Sequence, residues 1–265
     1  MIIDGNDIAA EIRERLRRDI GNLHRPPLLF VFLGGNDPVS LRYIERKRLF
    51  AEAIGADLVL KQFPADISET AVHESLRQVA EDPRVDGMLV QLPLPAGFDA
   101  GGILSAVPPL KDVDALSSDP VIPSPVIGAI AHILKRFDVA LFGKRVAVVG
   151  RGKVVGIPAA TWAAGEGALV DSIDKDTLDA LSILRAADII ILGAGSPGFL
   201  VPDMVREGAV IIDAGTSEVS GSLRGDADPA CAEKAALFTP VPGGVGPLTV
   251  AMLFSNLVEL FKRRL

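Results

Sequence analysis

The run Val146-Ala147-Val148-Val149-Gly150-Arg151-Gly152-Lys153-Val154-Val155-Gly156 constrains the fold more than any other part of this chain. A short apolar strand passes directly into glycines spaced Gly-x-Gly-x-x-x-Gly and then into a stretch with helical character. Glycine lets the backbone turn sharply and approach a ligand closely. The helix start that follows offers unpaired N–H groups and a partial positive charge. In a strand–turn–helix setting this reads as a phosphate-binding turn of a dinucleotide fold, one residue longer than the usual fingerprint. Gly150, Arg151, Gly152, Lys153, Val154 and Gly156 are therefore the candidate cofactor residues.

The rest of the chain agrees with an α/β fold. Apolar spacing predicts helices over Ile8 to Leu23, Ser40 to Ile54, Glu69 to Glu81 and Ile127 to Phe137. Continuous or alternating apolar runs predict strands at Leu28 to Leu33, Asp57 to Gln62 and Gly87 to Gln91. Further strands are expected at Arg145 to Val149, Ala168 to Ile173, Ile189 to Leu192 and Val210 to Asp213. Thr249 to Leu265 reads as an amphipathic terminal helix. Strands alternating with helices imply parallel sheets covered by helices. At 265 residues the chain exceeds one ordinary core. Pro108, Pro109, Pro120, Pro123 and Pro125 mark a connection, so two lobes are expected: 1–120 with the terminal helix 248–265, and a Rossmann-like lobe over 121–247.

Charge excludes some partners. With 27 basic against 34 acidic residues the net charge is −7, which disfavours nucleic acid and anionic membranes. No apolar run is read as reaching the ~18 residues of a membrane span. The opening Met1-Ile2-Ile3-Asp4-Gly5 lacks the pattern of a secretory signal, giving the expectation of a cytoplasmic protein. His24, His73 and His132 lack metal-ligand spacing, so no metal is expected. The single cysteine, Cys231, reads as structural.

The cofactor signals point two ways. An acidic residue about 20 positions beyond the turn commonly takes the ribose hydroxyl of NAD, whereas a nearby arginine accommodates the 2′-phosphate of NADP. Asp171 and Asp174 stand near the end of the next strand, and Arg151 lies in the turn. Gly193 to Gly198 and Asp213-Ala214-Gly215-Thr216 follow later strands, where open α/β sheets bind ligands, and Thr216 joins the cofactor candidates.

Tyr43 and Lys47 are four residues apart on a predicted helix and so share a face. Beside them stand three further motifs: Val90-Gln91-Leu92-Pro93-Leu94-Pro95, Lys111-Asp112-Val113-Asp114, and Thr239-Pro240-Val241-Pro242-Gly243-Gly244-Val245-Gly246-Pro247. In this order, with Ile3-Asp4-Gly5 and Ser40-x-x-Tyr43-x-x-x-Lys47, they resemble the bifunctional methylenetetrahydrofolate dehydrogenase/cyclohydrolase family over nearly the whole chain.

The resemblance implies oxidation of 5,10-methylenetetrahydrofolate to the methenyl form with NADP, NAD being possible, and hydrolysis of the product to 10-formyltetrahydrofolate. It implies that Lys47 is the acid/base residue, that Tyr43 and Gln91 flank it, and that Asp114 binds the pterin. Leu92, Pro93, Gly243, Gly244 and Pro247 would line the folate site. A lysine acts as a base near neutral pH only if burial or a cation lowers its pKa, and Arg42, Arg46 or Arg48 could supply that charge. The resemblance further implies a folate lobe completed by the terminal helix, an active site between the lobes, a homodimer through the Rossmann-like lobe, and a place in one-carbon metabolism.

Three departures from the family's pattern stand out. Ala115 follows Asp-Val-Asp where the family has glycine, and the loop to Pro123-Ser124-Pro125 is short. Ser172-Ile173-Asp174 replaces the basic or hydroxyl residues suited to NADP. Ala214-Gly215-Thr216-Ser217 stands where a Gly-Ile-Asn sequence is common. A dehydrogenase without cyclohydrolase activity and a non-catalytic dinucleotide-binding paralogue remain as alternative readings. A 2-hydroxy-acid dehydrogenase would want a substrate-side histidine, and none is so placed.

Overall fold

A computed structural model describes residues 1–219 and 221–264. The chain divides into two compact units, one of Met1–Ala9 with Val126–Thr249 and the other of Ala10–Pro125 with Val250–Leu265. The boundary thus falls at Pro125 rather than 120, and the first nine residues go with the later part of the chain. Backbone bonds explain that exchange: Ile3 N–H donates to Phe238 O and Phe238 N–H to Met1 O, both at 2.9 Å, so the N-terminal segment runs beside the later unit's sheet.

The Ala10–Pro125 unit is built on a parallel sheet of β1 (Leu28–Gly34), β2 (Asp57–Phe63) and β3 (Gly87–Gln91), in the order β2-β1-β3. Its helices are α1 (Gly5–Gly21), α2 (Pro38–Ile54), α3 (Glu69–Glu81) and the short α4 (Ala100–Ser105). Phe32, Phe63, Leu76, Met88, Val90 and Ile103 form one of its core clusters. Helix α2 begins where Asp37 Oδ2 accepts the Ser40 N–H at 2.8 Å with Pro38 in the first turn, and ends on Gly55 in the left-handed conformation.

The other unit holds α5 (Pro125–Arg136), β4 (Arg145–Val149), α6 (Gly156–Gly165), β5 (Leu169–Ile173), α7 (Ala180–Ala186), β6 (Ile189–Leu192), β7 (Val210–Asp213), a hairpin of β8 (Ser217–Val219) and β9 (Ser222–Arg224), and β10 (Leu237–Phe238). Its parallel sheet runs β10-β7-β6-β4-β5. The chain goes from β4 to β5 on one side and then to β6 on the other, so the order reverses at the C-terminal end of β4. That is where open α/β sheets bind ligands. Ala147, Val149, Ile190, Leu192, Ile211 and Phe238 pack in its core. Cys231 belongs to this core: it is fully buried, its thiol faces Leu200 O at 3.3 Å, and burial pushes the thiol up to about 11.

Helix α8 (Val245–Lys262) corrects the expectation about membrane-length segments, because it is long and apolar enough to cross a bilayer by length and composition. Its apolar residues have another use. Leu248, Ala251, Phe254, Leu257 and Leu260 are completely buried, and Phe254 stacks on Phe50 of α2 with ring centroids 5.3 Å apart. Leu265, the end of the expected terminal helix, lies outside the described residues.

Candidate active site

In the three-stranded unit, Ser40, Ile44, Ala51 and Ile54 form the buried stripe of α2. Tyr43 and Lys47 stand at its half-buried flank. Gln91 is the last residue of β3, in register with Leu33 of β1, at the C-terminal end of the parallel strands. Lys47 Nζ donates to Gln91 Oε1 at 2.7 Å, and Gln91 Nε2 donates to Leu92 O at 2.8 Å. Lys47 donates here, so the oxygen of the Gln91 amide faces it. Leu92 therefore enters through its carbonyl, while Pro93 is exposed.

Asp114 is held by a compact turn. Met88 N–H donates to Lys111 O at 2.6 Å, fastening the segment to β3. The buried Asp112 carboxylate accepts the Asp114 N–H at 3.1 Å through Oδ1 and the Ser117 N–H at 2.7 Å through Oδ2. Ala115 adopts φ +55, the left-handed region that a β-carbon disfavours. Asn256 of α8 donates to both Val113 O (2.9 Å) and Pro123 O (3.0 Å), so one side chain ties both ends of the shortened loop. Asp112 and Asn256 were not among the candidate site residues. Asn256 had no signal in the chain, because its partners are backbone carbonyls more than a hundred positions away.

Electrostatics join Lys47 to Asp114. Burial lowers the Lys47 pKa below the ordinary lysine range, opposed by the Asp114 carboxylate. Burial raises Asp114 above the ordinary carboxylate range, opposed by Lys47 and reinforced by Asp112. Each loses solvation as an ion and each favours the other's charge, so they titrate as a pair. The arginines are not the cause, contrary to expectation. Arg48 is engaged by Glu45 at 2.6 Å and by Glu52, and Arg46 lies 5.7 Å from the centre of the Tyr43 ring.

In the five-stranded unit the glycine turn is packed backbone against backbone. Gly150 has φ +103, and a β-carbon on Gly156 would stand 2.1 Å from Gly150 O. Gly152 differs, for a β-carbon there would meet nothing within 4 Å. Helix α6 starts without a side-chain cap, but little of its first turn is open: the Ile157 N–H donates to Gly152 O at 3.1 Å and Pro158 carries no N–H. The open space at Gly152, at the end of β4 and ahead of this helix, fits the pyrophosphate of a dinucleotide, with Lys153 and Val154 exposed beside it. Arg151 Nε pairs with Asp174 Oδ2 at 3.0 Å. Asp174 directly follows β5, whereas Asp171 sits within that strand opposite Ala147.

Two buried aspartates organise the ends of β6 and β7. Asp226 accepts the N–H groups of Ala194 (2.7 Å), Gly195 (3.1 Å) and Ser196 (2.6 Å). Asp213 accepts those of Gly215 (2.9 Å) and Ala227 (2.8 Å), and burial with Asp226 nearby raises it to about 6. Ser217 Oγ donates to Gly195 O at 3.2 Å, linking the two loops, with Thr216 exposed between them. Gly243, Gly244 and Pro247 also group with this unit. Gly5 N–H donates to Gly243 O at 2.7 Å, and a β-carbon on Gly5 would lie 1.8 Å from Gly244 O. The Ile3-Asp4-Gly5 and Pro-Gly-Gly motifs are thus two sides of one contact.

Fold and site define an α/β protein with a dinucleotide cradle in one unit and a desolvated lysine–carboxylate pair in the other. The family model described as tetrahydrofolate dehydrogenase/cyclohydrolase, catalytic domain, matches residues 3–114, and that of the NAD(P)-binding domain matches residues 124–265. The bifunctional protein FolD of Aquifex aeolicus is 36% identical over 280 residues, covering 100% of this chain and 96% of its own. Among solved structures, the bifunctional FolD methylenetetrahydrofolate dehydrogenase/cyclohydrolase of Campylobacter jejuni superposes with a TM-score of 0.96 at 32% identity, covering 100% of this chain and 99% of its own. The Trypanosoma brucei enzyme, complexed with NADP cofactor and an inhibitor, gives 0.94 at 34% identity, covering 100% and 98%. The chain belongs to the tetrahydrofolate dehydrogenase/cyclohydrolase family.

Proposed function

We propose that this protein oxidises 5,10-methylenetetrahydrofolate to 5,10-methenyltetrahydrofolate with NADP, NAD serving as a second acceptor, and hydrolyses the product to 10-formyltetrahydrofolate. The observation that carries the second step is the desolvated Lys47, bonded to Gln91 and coupled to Asp114. When bound, the nicotinamide accepts a hydride from the methylene carbon, so that step asks the protein for alignment rather than a nucleophile. Asp114 accepts paired hydrogen bonds from the pterin N–H and amino group, and Tyr43 offers a flat face to an aromatic ring. Neutral Lys47 takes a proton from the water that attacks the methenyl carbon. A proton delivered to the departing ring nitrogen breaks the C–N bond, and one proton is released overall.

NADP binding by the Trypanosoma brucei relative supports the choice of cofactor, and the open space at Gly152 supports a dinucleotide of either kind. Rates of methenyl formation with NADP and with NAD, and of methenyl hydrolysis alone, test the reading. Activity in both half-reactions is expected. Oxidation without hydrolysis would leave a monofunctional dehydrogenase, and no rate in either would leave a non-catalytic protein.

The same reading includes a homodimer through the five-stranded unit. Its edge strand β5 carries the exposed Leu169, with the exposed Phe142 ring lying against Gly167 just before that strand and Leu178 exposed shortly after it, an apolar margin suited to a second copy. Sedimentation is expected to give twice the 27.9 kDa of one chain, and a mass of one chain would refute it.

A further inference from the structure

The Arg151–Asp174 ion pair lies where both rules for reading an adenosine ribose apply at once. An acidic group past the second strand suits a free 2′-hydroxyl, and an arginine near the turn suits a 2′-phosphate. Here the two neutralise each other. Asp174 is also the fixed member of the pair. Its Oδ1 accepts the Thr177 hydroxyl and the Asp176 N–H, each at 3.0 Å, and its own N–H donates to Thr177 Oγ1 at 3.0 Å. These bonds, with Arg151 and Lys175 nearby, hold its carboxyl below the usual carboxylate range, so it stays charged at neutral pH. Arg151 is the movable member, with 63% of its side chain exposed.

Resting on the reading that this unit binds NAD(P), we infer that Asp174 is the specificity-determining residue for the cofactor, acting by holding Arg151. A 2′-phosphate must share Arg151 with a fixed carboxylate or draw the arginine away from it. A free 2′-hydroxyl meets no such conflict and can donate to Asp174. The pair therefore narrows the preference for NADP over NAD that Arg151 alone would give. Asp174→Asn keeps an oxygen for Thr177 and Asp176 while removing the charge, which releases Arg151 to the phosphate.

The test is calorimetric titration of the full chain with adenosine 2′,5′-bisphosphate and adenosine 5′-monophosphate, which differ only by the 2′-phosphate. Wild type, Asp174→Asn, Arg151→Met and the double variant are compared, beside kcat/KM for NADP and NAD. The ratio of the two affinities is expected to rise about 10- to 100-fold in Asp174→Asn, the range of one charge-assisted hydrogen bond, and to fall in Arg151→Met. In the Arg151→Met background the Asp174 effect is expected to shrink to about threefold or less, since non-additivity marks residues acting together. A ratio unchanged in Asp174→Asn, or an equal effect in both backgrounds, would overturn the inference. Nucleotide ratios that shift as expected in a protein without folate turnover would leave it standing while the folate reading fell. If neither nucleotide binds, the inference falls, and the folate reading falls with it only where NADP and NAD also give no turnover.

Discussion

Lys47→Met is expected to lower methenyltetrahydrofolate hydrolysis by about 1000-fold, the middle of the range for a general acid–base group. Methionine keeps the length and packing of the lysine stem and removes only the amine. The hydride step takes no proton from Lys47, so methenyl formation should fall by about tenfold or less, through the altered setting of Asp114. The pH dependence follows from the direction of the shifts. Neutral amine is the base, and burial lowers the Lys47 pKa, so hydrolysis should rise with pH along a limb lying below the ordinary lysine range. Asp114 accepts the paired hydrogen bonds of the pterin through both oxygens only when ionised, and burial raises its pKa. Folate affinity should therefore be lost on acidification at a pH above the ordinary carboxylate range. A Lys47→Met protein with full hydrolytic activity would refute the role given to this residue.

How far the sequence could be read depended on whether a feature was local. Helix α3 and strand β3 run over the same residues in the chain pattern and in the structure, because the Ser68 cap and a continuous apolar run mark them without outside help. Strand β10, with two residues, and the short α4 and α7 carry too few positions for a period to show. The pairing of Tyr43 with Lys47 was legible from helical spacing. The source of the Lys47 shift was not, since Arg42, Arg46 and Arg48 look equivalent as neighbours until Glu45 and Glu52 are seen to engage Arg48.

Long-range hydrogen bonds were the least visible of all. Asp226 gathers three backbone N–H groups from a loop some thirty positions away, so nothing beside it in the chain marks its role. Asn256 closes the short loop after Asp114 in the same hidden way. Judged by length, that loop is only a departure from the family's pattern. In the structure both its ends are fixed by Asn256, and Asp112 holds its first turn through the Asp114 and Ser117 N–H groups. Ala115 in a left-handed conformation is the remaining cost of replacing glycine, of order 1 kcal/mol.

Two glycines of the phosphate turn should respond oppositely to alanine, and the contrast separates folding from binding. Gly156→Ala drives a β-carbon against the carbonyl of Gly150, where both partners are backbone and neither can rotate away. It should destabilise the ligand-free protein by about 3 kcal/mol, the upper end of overpacking costs. Gly152→Ala adds a methyl to open space and should leave the ligand-free melting midpoint unchanged. If that space receives the pyrophosphate, the methyl should weaken dinucleotide binding by about 100-fold, the loss of one or two charge-assisted hydrogen bonds. At a concentration 100 times Kd, a bound dinucleotide stabilises the native state by about 2.7 kcal/mol, and after a 100-fold loss of affinity by only about 0.4 kcal/mol. Gly152→Ala should therefore melt like wild type alone and fail to gain the wild-type shift when NADP is added. A full NADP-induced shift would mean that the phosphates lie elsewhere, and a lowered midpoint without NADP would mean that the open space at Gly152 serves the fold.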